Sequence, residues 1–111
     1  MSKRAILLGA TGLIGSDLLN KLLANDYYNE VLAISRKEIK INHSKLKQLI
    51  IDFEDINKYE VEITGDEVFC CLGSTVKKTP NLSVYRKIDY QYPLDVAQIA
   101  FKNGAKSYHL V

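Results

Sequence analysis

Cysteine is scarce in this chain of 111 residues, charge of one sign is scarcer still, and long apolar runs are missing altogether. The two cysteines, Cys70 and Cys71, are adjacent in an apolar segment. That spacing offers neither a metal-ligand pattern nor a disulfide framework, and both read as buried thiols. A formal net charge of +2, spread over scattered lysines, excludes the basic stripe of a nucleic-acid-binding surface. After Met1-Ser2-Lys3-Arg4 the apolar run Ala5 to Leu8 is too short for a signal segment or a membrane span, which sets the expectation of a cytoplasmic protein with no membrane partner. There are no linkers, repeats or low-complexity tracts. Hydrophobic residues at 47% and charged residues at 25% describe one globular domain, somewhat undersized, filling residues 1–111.

Apolar runs followed by turn residues alternate with helical periodicity. Ala5 to Leu8 ends at Gly9 and suits a central parallel strand buried on both faces. Leu13, Ile14, Leu18, Leu19, Leu22 and Leu23 recur at helical spacing, with Asp17, Asn20 and Lys21 on the other face, and Asn25-Asp26 ends the helix. Val31 to Ile34 supplies a second strand, completing a βαβ unit. Arg36 to Lys45 is polar, with isolated Ile39 and Ile41, and reads as an irregular connection without a covering helix. Leu46 to Ile51 is a third strand, followed by a short helix from Asp52 to about Tyr59. Val68 to Leu72 is a fourth strand, closed by Gly73. A long helical stretch opens near Ser83, is kinked or restarted by Pro93, and stops at Asn103-Gly104. Tyr108 to Val111 begins a fifth strand.

Gly9-Ala10-Thr11-Gly12-Leu13-Ile14-Gly15 lies between the first strand and the first helix. The physical logic of three glycines at that spacing is specific. The first permits a tight turn, the second lets backbone approach a pyrophosphate, and the third lets the helix pack closely on the strand. The helix N-terminus then offers free N–H groups and its dipole to the anion. No Gly-Lys-Ser/Thr follows, so the loop is not a Walker loop.

Ser35-Arg36-Lys37 ends the second strand, where an acidic residue would bind a ribose 2′-hydroxyl and an arginine would accommodate a 2′-phosphate. The arginine favours NADP(H) over NAD(H). The alternative is a pair of ordinary solvated charges. Asp52-Phe53 would lie near the adenine, with Asp52 either accepting from its amino group or capping the short helix. Gly73-Ser74-Thr75 follows the fourth strand at the same edge, as a nicotinamide-ribose contact or as a plain turn. His43 and His109 have no companions at triad or metal-site spacing, and no metal ligands are assigned.

Together with Cys71-Leu72-Gly73-Ser74-Thr75 and the stretch from Tyr85 through Asp89 to Tyr92-Pro93, these blocks resemble the atypical short-chain dehydrogenase/reductases. The subgroup they resemble is the Tat-interacting-protein (CC3-like) oxidoreductases and their bacterial relatives. The resemblance spans nearly the whole chain. It implies an NAD(P)-binding, three-layer Rossmann-like α/β domain with five parallel strands in the order 3-2-1-4-5, truncated after the fifth. It also implies cofactor contacts from Thr11, Gly12, Leu13, Ile14, Arg36, Asp52, Phe53, Leu72, Gly73, Ser74 and Thr75, to which the glycine loop and the strand ends add Gly9, Gly15, Ser35, Lys37 and Cys71 as candidates.

In the family a serine segment and a Tyr-x-x-x-Lys pair follow the fifth strand. No such pair occurs here: four residues beyond Tyr85 stands Asp89, beyond Tyr59 stands Ile63, and Tyr108 has no lysine ahead of it. No catalytic residue is assigned. Two readings follow. One is an NADP(H)-binding part of a reductase, naturally shortened, split from a partner or decayed, that binds without hydride transfer. The other is a nucleotide-sensing or protein-interaction module that works as a homo-oligomer, because a terminal strand leaves an open sheet edge.

Overall fold

The structure, a computed structural model, describes residues 3–10, 13–36, 38–71 and 92–110. Its organising element is β1 (Arg4–Leu8). Ala5, Ile6, Leu7 and Leu8 are all fully buried, which only a central strand covered on both faces permits. Helix α1 (Leu13–Ala24) leads to β2 (Glu30–Ser35), and an irregular connection leads to β3 (Leu46–Ile50). A 3₁₀ segment (Phe53–Tyr59) precedes β4 (Glu67–Cys70), and α2 (Tyr92–Lys102) precedes β5 (Ser107–Leu110). All strand pairs are parallel and the order is β3-β2-β1-β4-β5. This is the Rossmann-like α/β sheet that the resemblance implied.

Alternation along the strands divides the core into two layers. On one face Ile6, Leu8, Leu32, Ile34, Val68 and Cys70 pack with Ile56 of the 3₁₀ segment and with Val96, Ile99 and Ala100 of α2. On the other, Ala5, Leu7, Val31 and Ala33 pack with Leu19, Leu22 and Leu23 of α1. The connection after β2 covers the outer part of that second face without a helix. Ile39 is buried there and Ile41 packs beside it. The Gln48 carboxamide fixes the segment by accepting from the Ile39 N–H at 2.7 Å and donating to the Ile39 carbonyl at 2.8 Å. Isoleucines too sparse for helical periodicity thus do a helix's covering work, held by one side chain of the edge strand.

Two sequence expectations shift, and one left open between two outcomes is decided. Strand β4 ends at Cys70, short of Leu72. Pro93 lies in the first turn of α2, where its missing N–H costs nothing, so it starts this helix instead of kinking it; the stretch 83–91 lies outside the described residues. Ile14, counted on the apolar face of the first helix, is exposed by 62%.

The far end of α2 closes as Asn103-Gly104 suggested. The Ala105 N–H donates to the Ala100 carbonyl at 2.9 Å and the Gly104 N–H to the Phe101 carbonyl at 3.1 Å, the paired bonds of a Schellman cap. Gly104 takes φ +105° there. The Asn103 amide donates to the carbonyls of Glu60 and Ile63, tying the cap to the turn before β4. At the amino end of the sheet, Arg4 is similarly tied. Its backbone N–H donates to Asp66 and its guanidinium to Thr64, both at 2.9 Å, with Glu30 at 3.6 Å.

A Cβ at position 104 would meet nothing within 4 Å, so Gly104→Ala isolates the backbone cost of positive φ. It is expected to lower stability by about 1 kcal/mol, read as a lower urea midpoint at unchanged slope.

Candidate functional site

The carboxyl ends of β3, β2, β1 and β4 lie side by side, and the residues that follow them form one edge of the molecule. Gly9 leaves β1 with φ +79°, a conformation that disfavours any side chain. Gly15, buried in the first turns of α1, lies so close beneath it that a Cβ there would stand 1.8 Å from the Gly9 carbonyl oxygen and 2.7 Å from its carbon. Both contacts are with backbone, which cannot swing aside. The third glycine therefore sets how closely α1 can approach the turn. The first turn of α1 carries no acidic residue, so its positive dipole end is not countered from within the helix.

Ser35 ends β2 almost fully buried, and its carbonyl accepts from the Ile51 N–H at 2.9 Å, which draws the ends of β2 and β3 together. Arg36 follows, exposed. It makes no hydrogen bond or ion pair with another described residue. With Ile50, Ile51, Asp52, Asp55 and Tyr59 it lines an open groove of about 410 Å³. Asp52 is exposed at the head of the 3₁₀ segment, and its backbone carbonyl accepts from the Asp55 N–H at 2.9 Å. Phe53 opens that segment and Leu13 opens α1.

Across the sheet, Cys71 follows β4, its N–H donating to the Leu8 carbonyl at 2.9 Å. Both cysteines are free thiols. Cys70 is buried as expected. Cys71 is only half-buried on the α1 side, and burial, with Cys70 second, pushes its thiol pKa up. The structure thus brings Gly9, Leu13, Ile14, Gly15, Ser35, Arg36, Asp52, Phe53 and Cys71 to one edge. Thr11, Gly12, Lys37, Leu72, Gly73, Ser74 and Thr75 lie outside the described residues. Sequence reasoning missed Ile50, Asp55 and Tyr59 as groove residues, because nothing in their spacing says that the 3₁₀ segment folds back beside Arg36.

The other candidates for chemistry stand elsewhere. Burial and the neighbouring Cys70 thiol hold the Tyr108 hydroxyl well above its usual pKa, against the α2 side of the core. The His109 ring stacks on Phe69 with centroids 4.8 Å apart and lies 3.5 Å from Glu67. His43 Nδ1 accepts from the Lys45 N–H in the turn before β3. Among the described residues no group of three or more metal-ligating side chains converges.

Comparison with known proteins fits this geometry. Residues 5–111 match the profile of the NAD dependent epimerase/dehydratase family. The chain is 30% identical over 114 residues to Protein HTATIP2 of Rattus norvegicus, an alignment covering 99% of this chain and 47% of that protein. It is 32% identical over 110 residues to the mitochondrial Protein FMP52 of Meyerozyma guilliermondii, covering 97% and 47%. The chain therefore spans about half the length of the curated relatives it matches. Among solved structures, uronate dehydrogenase from Agrobacterium tumefaciens, a mutant complexed with NAD, superposes with a TM-score of 0.80 at 15% identity, covering 100% of this chain and 41% of that one. A UDP-N-acetylglucosamine 4-epimerase from Methanobrevibacter ruminantium gives 0.78 at 20%, covering 96% and 36%. At these identities the structural likeness speaks for the fold alone.

The expectation of a cytoplasmic protein is overturned by the fungal relatives, which are named as mitochondrial. Its basis was the shortness of the run Ala5 to Leu8, which bears on secretion and membrane crossing and carries no information about organelles. Among the described residues no helix is long and apolar enough to cross a membrane.

Gly15→Ala is expected to destabilise the fold by about 3 kcal/mol, well beyond the Gly104 substitution, because backbone and not side chain must give way. Parallel urea titrations check the ordering; equal losses would mean that α1 does not depend on the close approach.

Proposed function

This chain belongs to the NAD dependent epimerase/dehydratase family, and on that premise we propose that residues 1–111 form an NAD(P)-binding domain that takes NADP(H) across the carboxyl edge of the sheet. The observation that carries the proposal is the close approach of Gly15 to Gly9, which seats the start of α1 directly against the turn that leaves β1. In this reading the pyrophosphate rests on the loop from Gly9 through Thr11, Gly12, Leu13 and Ile14 to Gly15, facing the N–H groups and dipole of α1. The adenosine ribose lies at Ser35, Arg36 and Lys37, and the adenine in the groove beside Asp52 and Phe53. Cys71 through Leu72, Gly73, Ser74 and Thr75 run beside the nicotinamide ribose.

The Arg36 guanidinium, without a hydrogen bond or ion pair among the described residues, supports NADP(H) over NAD(H), since it can grip a phosphate by paired, charge-assisted hydrogen bonds. When bound, the nicotinamide supplies hydride exchange. The chain's own residues bind and orient: Gly9 makes the turn, Gly15 lets α1 sit close behind it, α1 holds the anion, and Arg36 fixes the ribose end. Because the 111 residues contain no Tyr-x-x-x-Lys pair to move a proton, the domain is expected to bind the cofactor without turning over a substrate.

A second observation favours association. Among the described residues strand β5 pairs with β4 alone, and on the α1 side of β4–β5 the His109 side chain stays 47% exposed over Phe69. Such an edge and face favour a symmetric homodimer, the form a nucleotide-responsive interaction module would take.

Calorimetry should show NADPH binding at one site per chain, and Arg36→Asp should weaken it at least about tenfold while changing NADH less. An unchanged NADPH affinity in that variant would show the 2′-phosphate assignment to be wrong. Sedimentation should show a dimer at high concentration; a persistent monomer would remove the association reading.

A further inference from the structure

Resting on the dinucleotide site proposed above, we propose that Asp55 sets cofactor selectivity in the groove that runs from the ribose end at Arg36 to the adenine position at Asp52, opposing Arg36 by repelling a 2′-phosphate and accepting from a 2′-hydroxyl. Asp55 and Arg36 line the same groove, Arg36 from the end of β2 and Asp55 from the 3₁₀ segment. The backbone at Asp55 leaves helical geometry, with φ −101° and ψ 20°, breaking the 3₁₀ segment in two. Its carboxylate oxygen stands 3.7 Å from Lys58 Nζ, with the two side chains 52% and 74% exposed. An ion pair so exposed is weak and does not extinguish the carboxylate's field.

The groove therefore presents one cation without a partner among the described residues and two acidic side chains, of which Asp55 is only loosely countered. A dianionic 2′-phosphate entering there gains from Arg36 and loses to Asp55. A neutral 2′-hydroxyl loses nothing and gains an acceptor. Lys58 modulates the balance: held against Asp55 it screens the carboxylate, and removed it leaves the full repulsion. The sequence alone does not show this, because Asp55 lies far along the chain from Arg36 and reads as an ordinary acidic residue in the first turn of a short helix.

The test measures NADPH and NADH affinities of the full chain by calorimetry, at low and at high salt, for the wild type, Asp55→Asn and Lys58→Met. Asp55→Asn keeps the shape and removes the charge. It should tighten NADPH about threefold at low salt and leave NADH unchanged or slightly weaker, with the gain shrinking as salt rises. Lys58→Met, at an exposed position tolerant of change, should shift the NADPH-to-NADH preference the opposite way. If the wild type binds both cofactors and neither variant alters their ratio, the role given to Asp55 is wrong while the site stands. If the wild type binds neither cofactor, the dinucleotide reading fails and this inference fails with it.

Discussion

The close approach of α1 to the turn that leaves β1 is the contact on which the rest of this molecule depends. With a Cβ at position 15 only 1.8 Å from the Gly9 carbonyl oxygen, the helix could not sit where it does, and its N-terminus would be displaced from the sheet edge. Its present position has two consequences. Leu19, Leu22 and Leu23 reach the face formed by Ala5, Leu7, Val31 and Ala33, closing one of the two core layers. The first turn of the helix also lies at the edge where β1, β2 and β3 end, where its dipole faces the proposed anion site. Packing and the proposed anion site therefore draw on the same pair of glycines.

The two ends of the sheet differ in how far their polar groups are committed. At the amino end Arg4 is engaged by Glu30, Thr64 and Asp66, and near it the α2 cap is tied by Asn103 to the turn at Glu60 to Ile63. At the carboxyl end Arg36 is exposed with no partner among the described residues, beside a groove that carries two acidic side chains. Polar groups spent on one another stabilise; groups left open at a concave edge are available to a ligand. The contrast supports the proposal of a ligand site at the carboxyl edge.

Much of the fold was legible because its signals are local. Continuous apolar runs at Ala5 to Leu8 and Val31 to Ile34 could only be strands buried on both faces, and Asn103-Gly104 could only stop a helix. The glycine spacing gave the tight turn and the close packing for the same reason: each glycine answers a constraint made by its chain neighbours. What escaped depends on contacts between distant segments. That Gln48 would clamp Ile39, or that Ile14 would face solvent instead of the core, requires knowing how the segments lie together. Asp55 and Tyr59 join the groove only because the 3₁₀ segment folds back beside the end of β2. Compartment was not legible at all, since the absence of an apolar run says nothing about which organelle a chain occupies.

The central claim is that the carboxyl edge around Gly9 and Gly15 holds a nicotinamide dinucleotide. Amide chemical shifts followed during an NADPH titration of the isotopically labelled chain test it most directly. The account predicts that Gly9 to Gly15, Ser35, Arg36, Asp52 and Cys71 move together with one affinity, while Arg4, Asp66 and Asn103 at the opposite end stay in place. Shifts confined to that opposite end, or none at any NADPH concentration, would contradict it.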